Sequence, residues 1–211
     1  MGRQRFGACP SWWIRSDVIK EKFTAKSGEI GLNIAALKCI IAMTLHNKFG
    51  DYQSKLSTSE LEEITGLSRP LVIDGRDKLE NLGIITIERE HTFSYTQTTK
   101  SDDTGWAKIP KPLVKSELKQ IPNRGRAVLQ ALKIYLVLLA TRPNQTDRFH
   151  MSHDKLIEKL GLQSQDVKRS LDILFNHGLI KIGRSLDDAG RSYTANLFVF
   201  PGIDDLATVD E

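Results

Sequence analysis

Residues 66–85, GLSRPLVIDGRDKLENLGII, decide the fold of this 211-residue chain. Glycine accepts the left-handed backbone conformation that lets a chain turn sharply out of a helix, and Gly66 predicts such a turn. Ser68 is a suitable N-cap for the next helix, and Pro70 fits its first turn, where no amide donor is needed. Gly83 predicts the end of that helix, before two isoleucines typical of a strand. The stretch therefore predicts a turn, a helix, a second turn and a β-strand.

The same pattern recurs 95 residues further on, at residues 161–180, GLQSQDVKRSLDILFNHGLI. Shifting the chain by 95 residues aligns residues 14–87 with residues 109–182 without a gap. Identical residues fall on predicted core, cap and turn positions: Ala36-Leu37-Lys38 and Ala131-Leu132-Lys133, Ser57 and Ser152, Leu61 and Leu156, Gly66-Leu67 and Gly161-Leu162, Val72 and Val167, Leu79 and Leu174, Gly83 and Gly178. Self-similarity at a fixed offset is the signature of a repeated unit, so the sequence predicts two copies of one fold.

Each copy contains the same series of predicted elements, identified from hydrophobic periodicity, caps and turn residues. A short helix at about residues 16–26 and 112–120 comes first. In chain order there follow a long apolar helix at 34–47 and 127–141, a strand at 55–56 and 149–151, and a second helix capped by Ser57 or Thr58 and by Ser152. A third helix, counted from the long one and capped by Ser68 and by Ser164, then leads to a hairpin at 84–88 with 93–98 and at 179–183 with 193–200. We predict an α+β, mostly α, fold with domains at residues 1–100 and 101–211, a linker at about residues 99–108 and an acidic tail at residues 204–211.

Composition places the chain among ordinary globular proteins and favours an acidic polymer as partner. The formal net charge is +4, although the last eight residues hold four acids and no base, so the remaining chain is more basic than the whole. A basic folded body is compatible with nucleic acid. Cys9 and Cys39 have neither the density of a disulfide scaffold nor the spacing of a zinc site. Because no apolar run approaches the roughly 20 residues of a membrane span and no signal peptide is evident, we expect a cytoplasmic protein without a membrane partner.

The predicted element order resembles that of a winged helix-turn-helix domain, in which the hairpin is the wing. The stretches at residues 66–85 and 161–180 resemble the recognition-helix signature of prokaryotic winged-helix proteins. Two such copies in a small basic chain also resemble the replication initiators of plasmids and phages. The resemblance implies sequence-specific binding of double-stranded DNA, with the tighter contacts made by the second domain. It further implies that the first domain contacts DNA and provides a homodimerisation surface, and that host replication proteins are partners.

The candidate DNA-binding residues lie mainly on the two third helices. A recognition helix enters the major groove with its amino-terminal residues nearest the bases, where Arg or Lys pairs with guanine and Gln or Asn with adenine. The candidates on these helices are Gln163, Ser164, Gln165, Lys168, Arg169 and Asn176 in the second copy, and Ser68, Arg69 and Lys78 in the first. The first-copy helix also carries Asp74, Asp77 and Glu80, acids that phosphate repels, so this helix is the better candidate for a protein contact.

Further candidates lie in the wings and before the second long helix. Arg89 belongs to the first predicted wing, and Arg184 and Arg191 flank the turn of the second. Arg124 and Arg126 precede the long second-copy helix, where a helix amino terminus favours phosphate.

Three other side chains are assigned to packing. Trp12 and Trp13 precede an apolar residue at the start of the first copy, which favours burial over base stacking. Arg76 stands at the counterpart of Leu171, a core position, so its side chain must find a partner or reach solvent along its stem.

Catalysis, cofactors and metals have little support in the sequence, and we predict a protein that is not an enzyme. Phosphate-binding glycine loops, Cys-x-x-Cys pairs and Gly-x-Ser-x-Gly elbows are absent from it. His150 and His153 have the spacing of a metal pair but lack the further ligands of a closed zinc site. Two alternatives to a replication initiator remain open at this stage: a transcriptional regulator, and a winged-helix interaction scaffold in chromosome segregation. The basic charge favours a DNA-binding function over the scaffold.

Overall fold

The computed structural model describes residues 5–47, 50–89, 92–102, 105–183 and 195–203. The fold is α+β, and helix is the larger component, as predicted, with about 49% of residues in helices and 19% in strands. The elements, in chain order, are β1 (Phe6–Pro10), α1 (Trp12–Arg15), α2 (Val18–Glu21), α3 (Ile30–His46), β2 (Gln53–Lys55), α4 (Thr58–Thr65), α5 (Arg69–Asn81), β3 (Ile85–Arg89), β4 (Phe93–Gln97), β5 (Trp106–Pro110), α6 (Lys111–Glu117), α7 (Arg126–Thr141), β6 (Arg148–Met151), α8 (His153–Leu160), α9 (Ser164–Asn176), β7 (Lys181–Gly183) and β8 (Asn196–Val199). We call the part before residue 103 the first half and the part after residue 104 the second half.

The first half places α5 against the long helix α3, beside an antiparallel sheet with the order β2, β4, β3. Ser57 caps α4, because its hydroxyl accepts from the Glu60 amide at 3.2 Å and the Glu60 carboxylate accepts from the Ser57 amide at 2.7 Å. This reciprocal pair satisfies two amides that the helix cannot satisfy itself. The predicted cap at Ser57 is confirmed, and Gly66 ends α4 with a left-handed φ of +67°.

From its long helix onward, the second half follows the same order of elements. Helix α9 packs against α7, and β6, β8 and β7 form an antiparallel sheet in that order. Ser152 caps α8 by accepting from the Lys155 amide at 3.2 Å, and Gly161 ends that helix with a φ of +63°. The predicted serine caps and turning glycines therefore occur in both halves. One glycine lies between α4 and α5, and the other lies between α8 and α9.

Several predicted boundaries are wrong, and the short helix expected at about residues 16–26 is two short helices, α1 and α2, the first of which begins at Trp12. Ser164 does not cap α9: Gln163 is the N-cap, and Ser164 is the first helical residue. The 95-residue offset, which pairs Ser68 with Gln163, already contained that answer. Helix α3 begins at Ile30 rather than residue 34, because Gly31 obscures the helical pattern of its first turn. The predicted linker ends earlier than expected, since residues 106–108 belong to β5, where Ala107 and Ile109 alternate into the core.

A strand pairing joins the two halves. Strand β1 pairs antiparallel with β5, with Phe6 opposite Pro110 and Pro10 opposite Trp106. We call this two-stranded ribbon the strap. It lies against α3 and α7, the long helices of the two halves. The strap approaches α3 so closely at Gly7 that a Cβ there would stand 2.0 Å from the Thr44 carbonyl oxygen. Only a residue without a side chain fits at this crossing.

Each half also covers part of the other. Helices α1 and α2 of the first half pack against α7 and α8, while α6 of the second half packs against α3. The buried apolar side chains of both halves form one continuous cluster. Trp12 and Trp13 belong to it, as predicted, with 7% and 1% of their surface exposed. Of the described residues, no helix is long and apolar enough to cross a membrane.

Two buried lysines that lie 95 residues apart in the sequence make hydrogen bonds between the two halves. Lys38 of α3 donates to the carbonyl of Ile121 and to Asn123 Oδ1, both at 2.6 Å and both in the second half. Lys133 of α7 donates to the Phe23 carbonyl of the first half at 3.0 Å. Because burying an ammonium is costly unless it is hydrogen-bonded, these contacts tie each long helix to the segment of the other half that satisfies its lysine.

Two buried thiols give the stability a pH dependence. Burial raises the pKa of Cys9 and Cys39 to about 12, whereas both ionise above about pH 8.5 in an unfolded chain. The folded protein keeps protons that the unfolded chain loses, so the free energy of unfolding falls as pH rises above that value. At pH 10 we expect a loss of about 1–2 kcal/mol per thiol.

The measurement is urea unfolding at pH 8 and pH 10 of the natural protein and of the double variant Cys9→Ala, Cys39→Ala. The buried lysines titrate in both proteins, so their effect cancels in the difference between the two unfolding free energies. That difference should shift in favour of the variant by pH 10. A difference that is the same at both pH values would show that the folded state does not protect the thiols.

Candidate functional site

Helix α9 presents a polar face to solvent. Its apolar residues Val167, Leu171 and Leu174 recur at helical spacing on one side, and this side is buried against the rest of the second half. The opposite side is exposed over the first turns and consists of the N-cap and four helical residues. We call this set the α9 face: Gln163, Ser164, Gln165, Lys168 and Arg169.

The two cations of the α9 face share the helix surface with one exposed acid, Asp172, which lies one turn further along α9. Within the described part of the chain, Lys168 and Arg169 take part in no ion pair. The acid of the first turn, Asp166, points the other way: it is buried, and its carboxylate accepts from Arg126 Nε at 2.8 Å. At the amino-terminal end of α9, Gln165 Nε2 donates to Gln163 Oε1 at 3.1 Å. The face therefore offers two cations and adaptable amide groups to a partner.

The equivalent helix of the first half is compensated. Arg69, at the first position of α5, lies 3.7 Å from the Glu62 carboxylate. Arg89, on β3, donates to both Glu80 carboxylate oxygens, at 3.0 and 2.5 Å, and it holds the pKa of Glu80 below its ordinary value. Asp74 is exposed on the same helix. Ser68 is exposed at the N-cap and makes no side-chain cap bond. The first half therefore directs less net positive charge to solvent here.

Two basic residues of α5 face the interior. Lys78 is half-buried with Nζ 5.6 Å from the centre of the Phe23 ring, and burial lowers its pKa. Arg76 is 8% exposed and its guanidinium carbon lies 4.3 Å above the Phe93 ring. Arg76 also approaches Thr58 Oγ1 at 3.5 Å and the Asp77 carboxylate at 3.5 Å. The expected partner of Arg76 is thus the aromatic face of the hairpin, and Lys78 lies away from the exposed part of α5.

The remaining candidates separate into three groups. Arg124 is exposed in the loop before α7, while Arg126 is exposed but engaged by Asp166. Arg184 and Arg191 lie outside the described residues. Asn176, the last residue of α9, is exposed at the opposite end of the helix from the α9 face. The structure therefore gathers the second-copy candidates of residues 163–169 into one surface, and it does not gather the others onto it.

Sequence reasoning missed the pairing of Arg126 with Asp166 and the two buried lysines. The Arg–Asp pair joins residues 40 positions apart, and nothing local predicts it. The lysines did carry a signal, because the repeated Ala-Leu-Lys places a charged residue on the apolar side of the long helix in both copies. A charge at a core position in two copies indicates a buried partner.

No protein-family model matches this chain, and no curated protein matches its sequence. Over the residues that the structure describes, no group of three or more His, Cys, Asp or Glu side chains is placed to hold a metal ion. His153 instead lies 2.7 Å from Asn196 Nδ2 through its Nε2 atom.

Proposed function

We propose that the chain binds double-stranded DNA in a sequence-specific manner, as two winged helix-turn-helix units in tandem. Support comes from the order of elements, which is the same in both halves from the long helix onward, and from the sheet orders β2-β4-β3 and β6-β8-β7. A glycine in the left-handed conformation separates α4 from α5 and α8 from α9. Such a turn between two helices is the arrangement of a helix-turn-helix, whose second helix lies in the major groove of DNA.

The observation that carries the proposal is that Lys168 and Arg169 of the α9 face form no ion pair among the described residues. Cations that are not held in ion pairs attract phosphate and guanine, and amide side chains can pair with adenine edges. Gln163, Ser164 and Gln165 occupy the amino-terminal end of the helix, which is nearest the bases when such a helix enters the groove. Lys168 and Arg169 follow one turn later. We therefore assign base reading to the second half.

The first half has a supporting role in this proposal. Its candidate Arg69 is close to Glu62 and its Arg89 is bonded to Glu80, so the charges of these cations are partly neutralised within the fold. A surface with balanced charge is better suited to protein than to phosphate. We propose that α5 and its surroundings make weaker DNA contacts and provide a homodimerisation surface.

The cellular role that we propose is initiation of replication on a plasmid or phage, with host replication proteins as partners. This role follows from the resemblance of two concatenated basic winged helices to such initiators. It predicts several copies of the bound sequence clustered near an origin, whereas a transcriptional regulator would bind a palindrome next to a promoter. Mapping the bound segments on the source genome separates the two roles.

A selection from fragments of the source genome, followed by a salt titration of the best fragment, tests DNA binding. We expect the logarithm of the association constant to fall linearly with the logarithm of salt concentration, with a slope of about −2 or steeper, because each phosphate neutralised contributes about −0.9. The double variant Lys115→Ala, Lys119→Ala is a matched control, since it removes two exposed lysines far along the chain from the α9 face. An absent or salt-insensitive complex would remove the proposed function.

A further inference from the structure

A cavity of about 320 Å³ lies where the first half meets the second. Three of its walls carry cations: Lys20 on α2, Lys26 in the segment before α3, and Arg126 at the start of α7. Lys133 lies at its buried end, with 2% of its surface exposed. None of the described residues that line this cavity is acidic. We call it the cationic pocket.

The ammonium of Lys133 has unused donors. Its repeat counterpart, Lys38, donates to the carbonyls of Thr65 and Ile121 and to Asn123 Oδ1, at 2.6–2.9 Å. Three acceptors match the three donors of an ammonium group. Among the described residues, Lys133 has a single acceptor, the Phe23 carbonyl. All three donors of Lys38 are therefore used, whereas Lys133 uses one donor and lies beside an open cavity.

A buried glutamine in the wall of the pocket is also unsatisfied. Gln130 lines the cavity one turn before Lys133, and only 3% of its surface is exposed. Its Oε1 atom has no hydrogen-bond partner among the described residues. The repeat offset places Ala35 at the same position in the first half, so a methyl group is sufficient for packing there. A buried amide that lacks a partner is costly. Its oxygen only accepts, so the group that Gln130 offers to an anion is the Nε2 amide, which rotation about the last side-chain torsion can turn into the pocket.

The charge and size of the pocket identify the bound group. Arg126 is fixed by Asp166 through Nε, which leaves other guanidinium N–H groups for a further acceptor. The amino end of α7, at the same place, adds the positive end of a helix dipole. Phosphate oxygens can accept from lysine, arginine and a glutamine amide together.

We propose that the cationic pocket binds a phosphate group through Lys20, Lys26, Arg126, Gln130 and Lys133. Two sources present this chemistry: a free phosphorylated compound, and a phosphate of the DNA backbone. The site does not depend on base reading by α9, and a small phosphorylated probe is expected to occupy it without DNA.

Titration of the full chain with pyrophosphate, followed by calorimetry, tests the proposal. We expect saturable binding of one ion per chain. The variant Gln130→Glu keeps the size of the side chain but places a carboxylate in the pocket, and like-charge contact should weaken pyrophosphate binding by about tenfold or more. Circular dichroism and thermal unfolding check that the variant is folded. Should that variant not fold, Lys20→Gln with Lys26→Gln alters only exposed side chains and is expected to weaken binding to a similar degree.

The control Lys115→Gln, Lys119→Gln removes two charges, as Lys20→Gln with Lys26→Gln does, but from α6 and the turn that follows it. It should bind pyrophosphate as the natural protein does. Absence of saturable binding, or equal binding by all these variants, overturns the proposal as adventitious ion pairing. Adding the selected DNA identifies the source of the phosphate. Competition between DNA and pyrophosphate, with both weakened by Gln130→Glu, assigns the group to the backbone. Simultaneous binding of both assigns it to a free compound.

Discussion

Replacing Lys168 and Arg169 by alanine is expected to weaken specific DNA binding by about 2–6 kcal/mol, because each good base contact contributes roughly 1–3 kcal/mol of discrimination. Both side chains are exposed on α9, and neither is held by an acid within the described residues. Their loss therefore removes contacts to DNA without freeing a buried charge. The stability of the fold should change little, since exposed substitutions of this kind usually stay within about 0.5 kcal/mol.

The measurement is the dissociation constant for the selected fragment and for a scrambled duplex, each at two salt concentrations. A base-reading role predicts that the variant loses more affinity for the selected fragment than for the scrambled one. Phosphate contacts alone would weaken both equally and reduce the salt slope by about one for each cation. The control variant Lys115→Ala, Lys119→Ala should keep its preference for the selected fragment. Unchanged specific binding by Lys168→Ala, Arg169→Ala would show that α9 is not the reading helix.

Replacing Gly7 by alanine is expected to lower the free energy of unfolding by about 3 kcal/mol or more, at the upper end of the cost of overpacking. The added Cβ would meet the carbonyl oxygen of Thr44 at 2.0 Å and its carbonyl carbon at 2.7 Å. These are backbone atoms of the last turn of α3, which cannot rotate away as a side chain can. The strand β1 would have to lift from α3, which also strains its pairing with β5.

Thermal unfolding measures this effect directly, since a chain of about 200 residues loses roughly 2–4 °C in midpoint for each kcal/mol. The matched control is Gly31→Ala in α3, where a Cβ would meet no atom within 4 Å. Alanine is the better helix former, so this control should be neutral or more stable by up to about 1 kcal/mol. A Gly7→Ala protein that unfolds at the same temperature as the natural protein would contradict the close packing of the strap on α3.

Local chemistry made much of the fold predictable. Ser57 and Ser152 cap their helices, and Gly66 and Gly161 turn the chain, because each acts on backbone groups a few residues away. The strap was not predicted, because the sequence pattern of a five-residue strand does not indicate which strand, a hundred residues away, it pairs with. The predicted linker includes residues 106–108 because the segment before them is polar and turn-rich. Their place in β5 depends on a surface that exists only in the folded chain.

The candidate surface was predictable in the second half and less so in the first. Exposure of Lys168 and Arg169 follows from the helical pattern of α9. The state of Arg89 and Arg126 does not, because it depends on Glu80 and Asp166, acids that approach only when elements pack. A sequence shows which cations are available, and packing decides which of them are already used.

The strap also sets an order of events during synthesis. Strand β1 leaves the ribosome about a hundred residues before β5, the strand that satisfies its backbone groups. At about 5–20 residues per second, its edge waits roughly 5–20 s for that partner. Helices α1 and α2 share the delay, since they pack on α7 and α8. The nascent first half therefore exposes an unpaired strand edge and apolar helix faces until residue 110 and the helices after it emerge, and this interval is when the chain is most open to aggregation or to a chaperone.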